Sequence, residues 1–165
     1  MATATMPPAT ARFVEQMGLL LEAERLPRIS GRILGLLLAT DGPLSLDEIA
    51  GTLDVSKASI STNARLLADK GVIERTSLAG DRRDLYEAAA DMPFKMLRAR
   101  VERMQRVREV LADGRDTITT RSRPVRDRLD DMVTSYELFL ESMHRSLEHL
   151  PVRLNARRAE RGRQK

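Results

Sequence analysis

The chain has 165 residues, 42% of them hydrophobic and 3% aromatic, and a formal net charge of +4. That length suits one domain, or one domain with helical extensions, and with so few aromatics and no Trp its core must be mostly Leu, Ile, Val, Met and Ala. The absence of Cys excludes disulfides, thiolate metal sites and cysteine nucleophiles.

The distribution of charge matters more than its sum. Residues 153–165 hold six basic residues and one acid, whereas residues 1–152 hold 22 basic and 23 acidic residues. The excess therefore belongs to the tail, and a nucleic-acid surface elsewhere must come from local clustering. The tail itself either adds non-specific DNA affinity or aids solubility. The longest purely aliphatic run, Leu36 to Ala39, is too short to span a bilayer. Met1 to Thr10 lacks the basic-then-apolar pattern of a secretory signal. A cytoplasmic protein without a membrane partner is expected.

In chain order, residues 1–11 hold Pro7 and Pro8 among small residues and read as a disordered lead-in. Residues 12–41 read as two helices packing on the core and on a dimer interface. The first carries Phe13, Met17, Leu20 and Leu21 and ends at Pro27. The second, Ile29 to Thr40, is apolar on most sides, which implies central burial. Asp41-Gly42-Pro43 stops it.

Residues 42–90 form a third segment. Ser45-Leu46-Asp47-Glu48 is a capping box that opens a short helix with an apolar face of Leu46, Ile49, Ala50 and Leu53. Asp54-Val55 leaves room only for a tight turn. Ser56 then caps a helix to Lys70 that buries Ile60, Ala64 and Leu67, and Gly71 ends it. Val72 to Leu78 and Leu85 to Ala89 read as strands around an Ala79-Gly80-Asp81 turn. Residues 91–151 are expected to be long dimerisation helices. Asp91 caps one, Gly114 to Pro124 is a polar connection, and a near-heptad helix from Val125 to Leu150 stops at Pro151. Residues 152–165 read as a basic disordered tail. The fold class is mainly α with a small β-hairpin wing, a winged helix-turn-helix with flanking dimerisation helices.

Two capped helices across a three-residue turn form a helix-turn-helix, whose second helix lies in the major groove of double-stranded DNA. The candidate contacts are Ser56, Lys57, Ser59, Ser61, Thr62, Asn63 and Arg65. Small polar residues permit close approach, Lys57 suits a phosphate, and Arg65 suits a phosphate or a guanine edge. Asn63, at the margin of this face, can reach an adenine or hydrogen-bond within the domain. On the hairpin, Arg82 and Arg83 suit a minor groove or a phosphate, and Asp81 beside them can orient them.

The stretch Ile33 to Ala89 resembles the MarR family of bacterial regulators, through Gly42-Pro43-Leu44-Ser45, Val55-Ser56-Lys57, Lys70-Gly71-Val72-Ile73, Arg75 and Asp81-Arg82-Arg83. Asp81 and Arg83 match the Asp-x-Arg pattern of the family's wing. Asp84 to Ala88, Phe13 to Glu22 and Gly31 to Gly35 look more like the GbsR branch. The resemblance implies a homodimeric DNA-binding regulator, usually a repressor, on a palindromic operator, with a small-molecule effector as a further partner. GbsR-type proteins are associated with choline or betaine metabolism. A quaternary ammonium is held by an aromatic cage, and the aromatic residues here are Phe13, Tyr86, Phe94, Tyr136 and Phe139.

Two other classes compete. Glu141-x-x-His144 has the spacing of a carboxylate-histidine metal helix, but such sites need ligands from several helices and no second copy exists; His149 is the other histidine. No phosphate-binding glycine loop or nucleophile elbow is present, so neither an enzyme nor a cofactor is expected. A winged-helix module that binds protein without touching DNA is the other alternative.

Overall fold

The computed structural model describes residues 6–77 and 83–163. The chain divides into two compact units, Met1–Met92 and Pro93–Lys165.

In the first unit, α1 (Pro8–Ala23) begins inside the segment expected to be disordered. Pro8 occupies the first helical position, where a missing N–H costs no helical hydrogen bond and the ring presets φ. The next helix, α2 (Arg28–Ala39), buries Ile33, Leu34, Leu36 and Leu37 and touches α1, α3 (Leu46–Leu53), α4 (Lys57–Asp69) and β3 (Leu85–Ala88). A helix so apolar must be enclosed, and four elements enclose it. The approach of α1 is set by Gly31, where a Cβ would lie 2.2 Å from the Met17 carbonyl oxygen.

The capping box of α3 is present in full: the Ser45 hydroxyl accepts from the Glu48 N–H, and Glu48 accepts from the Ser45 N–H. Asp54 takes a left-handed conformation and starts the three-residue turn into α4. The Ser56 hydroxyl caps α4 by accepting from the Ser59 N–H. Gly71, with φ of +65°, lets the chain leave α4, and the Gly71 and Val72 N–H groups cover the carbonyls of Ala68 and Leu67.

The hairpin pairs β2 (Ile73–Thr76) with β3, with Ile73 opposite Ala88 and Thr76 opposite Leu85. A strand not expected from sequence, β1 (Leu44–Ser45), adds to the free edge of β3 and gives the antiparallel order β1-β3-β2. Ile49, Leu53, Ile60, Ala64, Leu67 and Ile73 join the residues of α2 in one buried cluster.

The second unit contains α5 (Met92–Thr117), whose first residue closes the first unit, and α6 (Arg123–Arg163). Two expectations need correction here. The connection is shorter than Gly114 to Pro124, because α5 continues through Gly114 to Thr117. Nor does the last helix stop at Pro151, which lies inside α6. Proline removes one helical hydrogen bond, but the Leu, Ala and Arg residues beyond it are strong helix formers. Among the described residues, Val101, Val133 and Leu140 are the buried apolar residues of this unit. Arg108 pairs with Glu137 at 3.6 Å, and Gln105 meets His144 at 3.2 Å. Among the described residues, no helix is long and apolar enough to cross a membrane.

The contact at Gly31 is testable. Gly31→Ala should destabilise the first unit by about 1–3 kcal/mol, since the added methyl meets backbone that cannot rotate away. Urea unfolding measures this, and an unchanged midpoint would show that α1 and α2 can move apart without cost.

Candidate nucleic-acid interface

The outward side of α4 is determined by the residues it buries. With Ile60, Ala64 and Leu67 inside, Lys57, Ala58, Thr62 and Arg65 are exposed, and Ser59 and Ser61 are half-buried. Ser56, exposed at the N-cap, belongs to the same surface. The Thr62 hydroxyl donates to the Ala58 carbonyl at 3.1 Å, which uses its one proton and leaves its oxygen able only to accept. Among the described residues Arg65 has no ion-pair partner.

Lys57 is held differently. Its Nζ lies 2.8 Å from the Asp47 carboxylate of α3, with both side chains more than half exposed. Such a pair is worth about 0–1 kcal/mol, so an incoming phosphate can replace Asp47 at little cost.

Asn63 does not belong to this face. It is 8% exposed and turned inward. Its Oδ1 accepts from the Ser30 hydroxyl of α2 at 2.9 Å, and its Nδ2 donates to the Ser59 carbonyl at 2.8 Å. Of the two roles open to Asn63 in the sequence, the structure selects the bond within the domain. Ser30 gave little warning: a lone serine near the start of an apolar helix reads as a local cap.

Asp81 and Arg82 lie outside the described residues. Arg83, at the root of the hairpin, has its Nη1 3.6 Å from Glu48 and 3.5 Å from the Ser45 hydroxyl. The wing root is thus attached to the capping box of α3, a link the sequence did not reveal. Arg75 pairs with Asp84 across the hairpin at 2.5 Å. Arg32 of α2 donates to the Leu53 carbonyl, where α3 ends, at 3.0 Å. Its Nε lies 2.7 Å from Glu15 of α1, as an ion pair without hydrogen-bond alignment.

In the second unit, Glu141 pairs with Arg145 and His144 with Gln105. Among the described residues no three His, Cys, Asp or Glu side chains gather as a metal site would require.

A helix-turn-helix packed on a three-stranded sheet, with a hairpin anchored beside it, is a winged helix-turn-helix. The chain belongs to the MarR family, whose sequence profile matches residues 26–84. The HTH-type transcriptional regulator MmpR5 of Mycobacterium tuberculosis is 38% identical over 128 residues, 74% of this chain and 78% of that protein. The HTH-type transcriptional repressor OpcR of Bacillus subtilis is 26% identical over 83 residues, 50% of this chain and 45% of that protein. A crystal structure of a transcriptional regulator superposes with a TM-score of 0.69 at 32% identity, covering 87% of this chain and 99% of the other. The family and these relatives are transcriptional regulators rather than enzymes.

Glu48 gives the site a dependence on pH. The hydrogen bonds from the Ser45 hydroxyl and the Ser45 N–H, and then the Arg83 charge, hold its pKa below the ordinary 4.5. A carboxyl whose pKa falls on folding stabilises fully above its unfolded value, and this is lost as pH drops through the lowered value. Glu48→Gln should cost about 0.5–1 kcal/mol at pH 7, the size of a helix cap. The gap between wild type and variant should narrow below pH 4.5. Urea midpoints at several pH values test this, and a gap that widens in acid would contradict the assignment.

Proposed function

We propose that this regulator binds a palindromic operator in double-stranded DNA as a homodimer, with one α4 in the major groove at each half-site. The carrying observation is the exposed side of α4: small and polar at Ser56 and Thr62, small at Ala58, with Lys57 and Arg65 toward its two ends. Small side chains let the helix approach base edges, and the two cations suit the phosphates on either side or a guanine. Ser59 and Ser61, half-buried, supply secondary contacts from the flanks. Arg82 and Arg83 are the proposed wing contacts. For Arg83 this means leaving Glu48 for a phosphate or the minor groove.

Exposed apolar side chains support the dimer. Phe13, Leu19 and Leu20 on α1, Val107 and Val110 on α5, and Met132, Leu138 and Phe139 on α6 are each 37% exposed or more. So many large apolar groups in water favour a second copy. Residues 42–90 then serve as the reading domain, with the flanking helices as the dimerisation part. The repressor named among the relatives favours repression as the outcome. The likeness of Phe13 to Glu22, Gly31 to Gly35 and Asp84 to Ala88 to the GbsR branch favours that branch, with release by a small-molecule effector. A cytoplasmic location agrees with a role on the chromosome.

Two measurements test this reading. Light scattering at micromolar concentration should give twice the mass of one chain; a monomer would defeat the dimer. Arg65→Ala should weaken operator binding by about 1–3 kcal/mol if Arg65 reads a guanine, or lower the salt slope by about one if it neutralises a phosphate. Operator affinity and salt dependence both unchanged would remove Arg65 from the interface.

A further inference from the structure

We infer that Ser30 is a positioning residue for DNA reading: its buried hydrogen bond to Asn63 fixes the axial rotation of α4, and so decides which α4 side chains meet the bases. This rests on the DNA-binding function proposed for α4 and adds to it a determinant of specificity on α2, away from the exposed side of α4.

Apolar packing alone leaves the roll of α4 loosely set. Ile60, Ala64 and Leu67 hold the helix against the cluster by apolar contact, which is non-directional. Small residues and rounded aliphatic surfaces permit a slight roll. A hydrogen bond is directional, and this one joins a fully buried hydroxyl to a side chain that is 8% exposed. Asn63 is doubly tied: one end reaches Ser30, and the other holds the Ser59 carbonyl one turn earlier on α4 itself. Its amide therefore transmits the position of Ser30 to the α4 backbone.

Ser30 is itself a fixed reference point. The next residue, Gly31, is pressed against the α1 backbone at Met17, and Arg32 reaches the end of α3 at Leu53. Three consecutive residues of α2 thus face α4, α1 and α3 in turn. A polar pair in such a place is not needed for stability, since an apolar pair of similar shape would serve as well or better. What it adds is a single orientation for the helix that carries Thr62 and Arg65.

The test compares wild type, Ser30→Ala, Asn63→Leu and the double variant. An operator is first selected from random DNA duplexes. Its affinity is then measured against a random-sequence duplex at one salt concentration, with urea stability followed in parallel. Ser30→Ala should lower the ratio of operator to random affinity about tenfold, the size of losing one base pair of readout. The double variant leaves no orphaned polar group, so its stability should recover toward wild type while its ratio stays low. The inference is overturned if Ser30→Ala keeps the wild-type ratio, as it would were Asn63 a direct base contact. It is equally overturned if the ratio recovers together with stability in the double variant, because the bond would then serve only folding. A wild-type protein without operator preference would overturn the DNA reading itself, and this inference with it.

Discussion

The enclosure of α2 is the constraint on which the first unit depends. Ile33, Leu34, Leu36 and Leu37 are all 5% exposed or less, and each fully buried aliphatic side chain contributes about 1.5–3 kcal/mol. No single neighbour can cover a helix that is apolar on so many sides. α1 covers one side at glycine distance, α4 and α3 cover others, and β3 closes the rest. The position of α4, and with it the surface it offers, is a consequence of this enclosure. Apolar burial sets where α4 lies, and the buried Ser30–Asn63 hydrogen bond adds a directional link from α2 to it.

Much of this was legible in the sequence because the relevant signals are local. The Ser45 to Glu48 capping box, the Ser56 cap, Gly71 and the Ile60, Ala64, Leu67 spacing each concern neighbours within one or two turns. They placed α3, the turn and α4 within a residue or so of where they lie. β1 was not legible, since two residues are too few for an alternating pattern and Leu44 and Ser45 become a strand only by pairing with Tyr86 and Leu85. Proline misled twice, at Pro8 and at Pro151. Its effect depends on whether a helical hydrogen bond is lost at that position and on the helix-forming strength of the residues after it.

The candidate interface was read less completely for the same reason. The exposed residues of α4 are the complement of its buried ones, so Lys57, Thr62 and Arg65 could be assigned from spacing alone. Asn63 could not, because its partner Ser30 is 33 residues away and on another helix. Neither could the attachment of Arg83 to Glu48, a pair distant in the sequence and on different elements. Long-range polar pairs leave no periodic trace, and they are what distinguishes a side chain that faces a ligand from one that fastens the scaffold.

Those pairs also bear on how a surface of nearly balanced charge can serve a polyanion. Three cations near the proposed DNA face are matched with carboxylates: Lys57 with Asp47, Arg83 with Glu48, and Arg75 with Asp84. All six side chains are at least 46% exposed, so water screens the pairs and each contributes little to stability. On the proposed reading, the carboxylates limit indiscriminate attraction to any phosphate backbone and yield readily to a better anion. Exchange of a carboxylate for a phosphate yields less net electrostatic gain than contact by an unpaired cation would. On the proposed reading, affinity then relies more on fit between the outer side of α4 and the base edges. For a regulator, which needs the ratio of specific to non-specific binding more than raw affinity, a surface whose cations are mostly matched with carboxylates suits the proposed role.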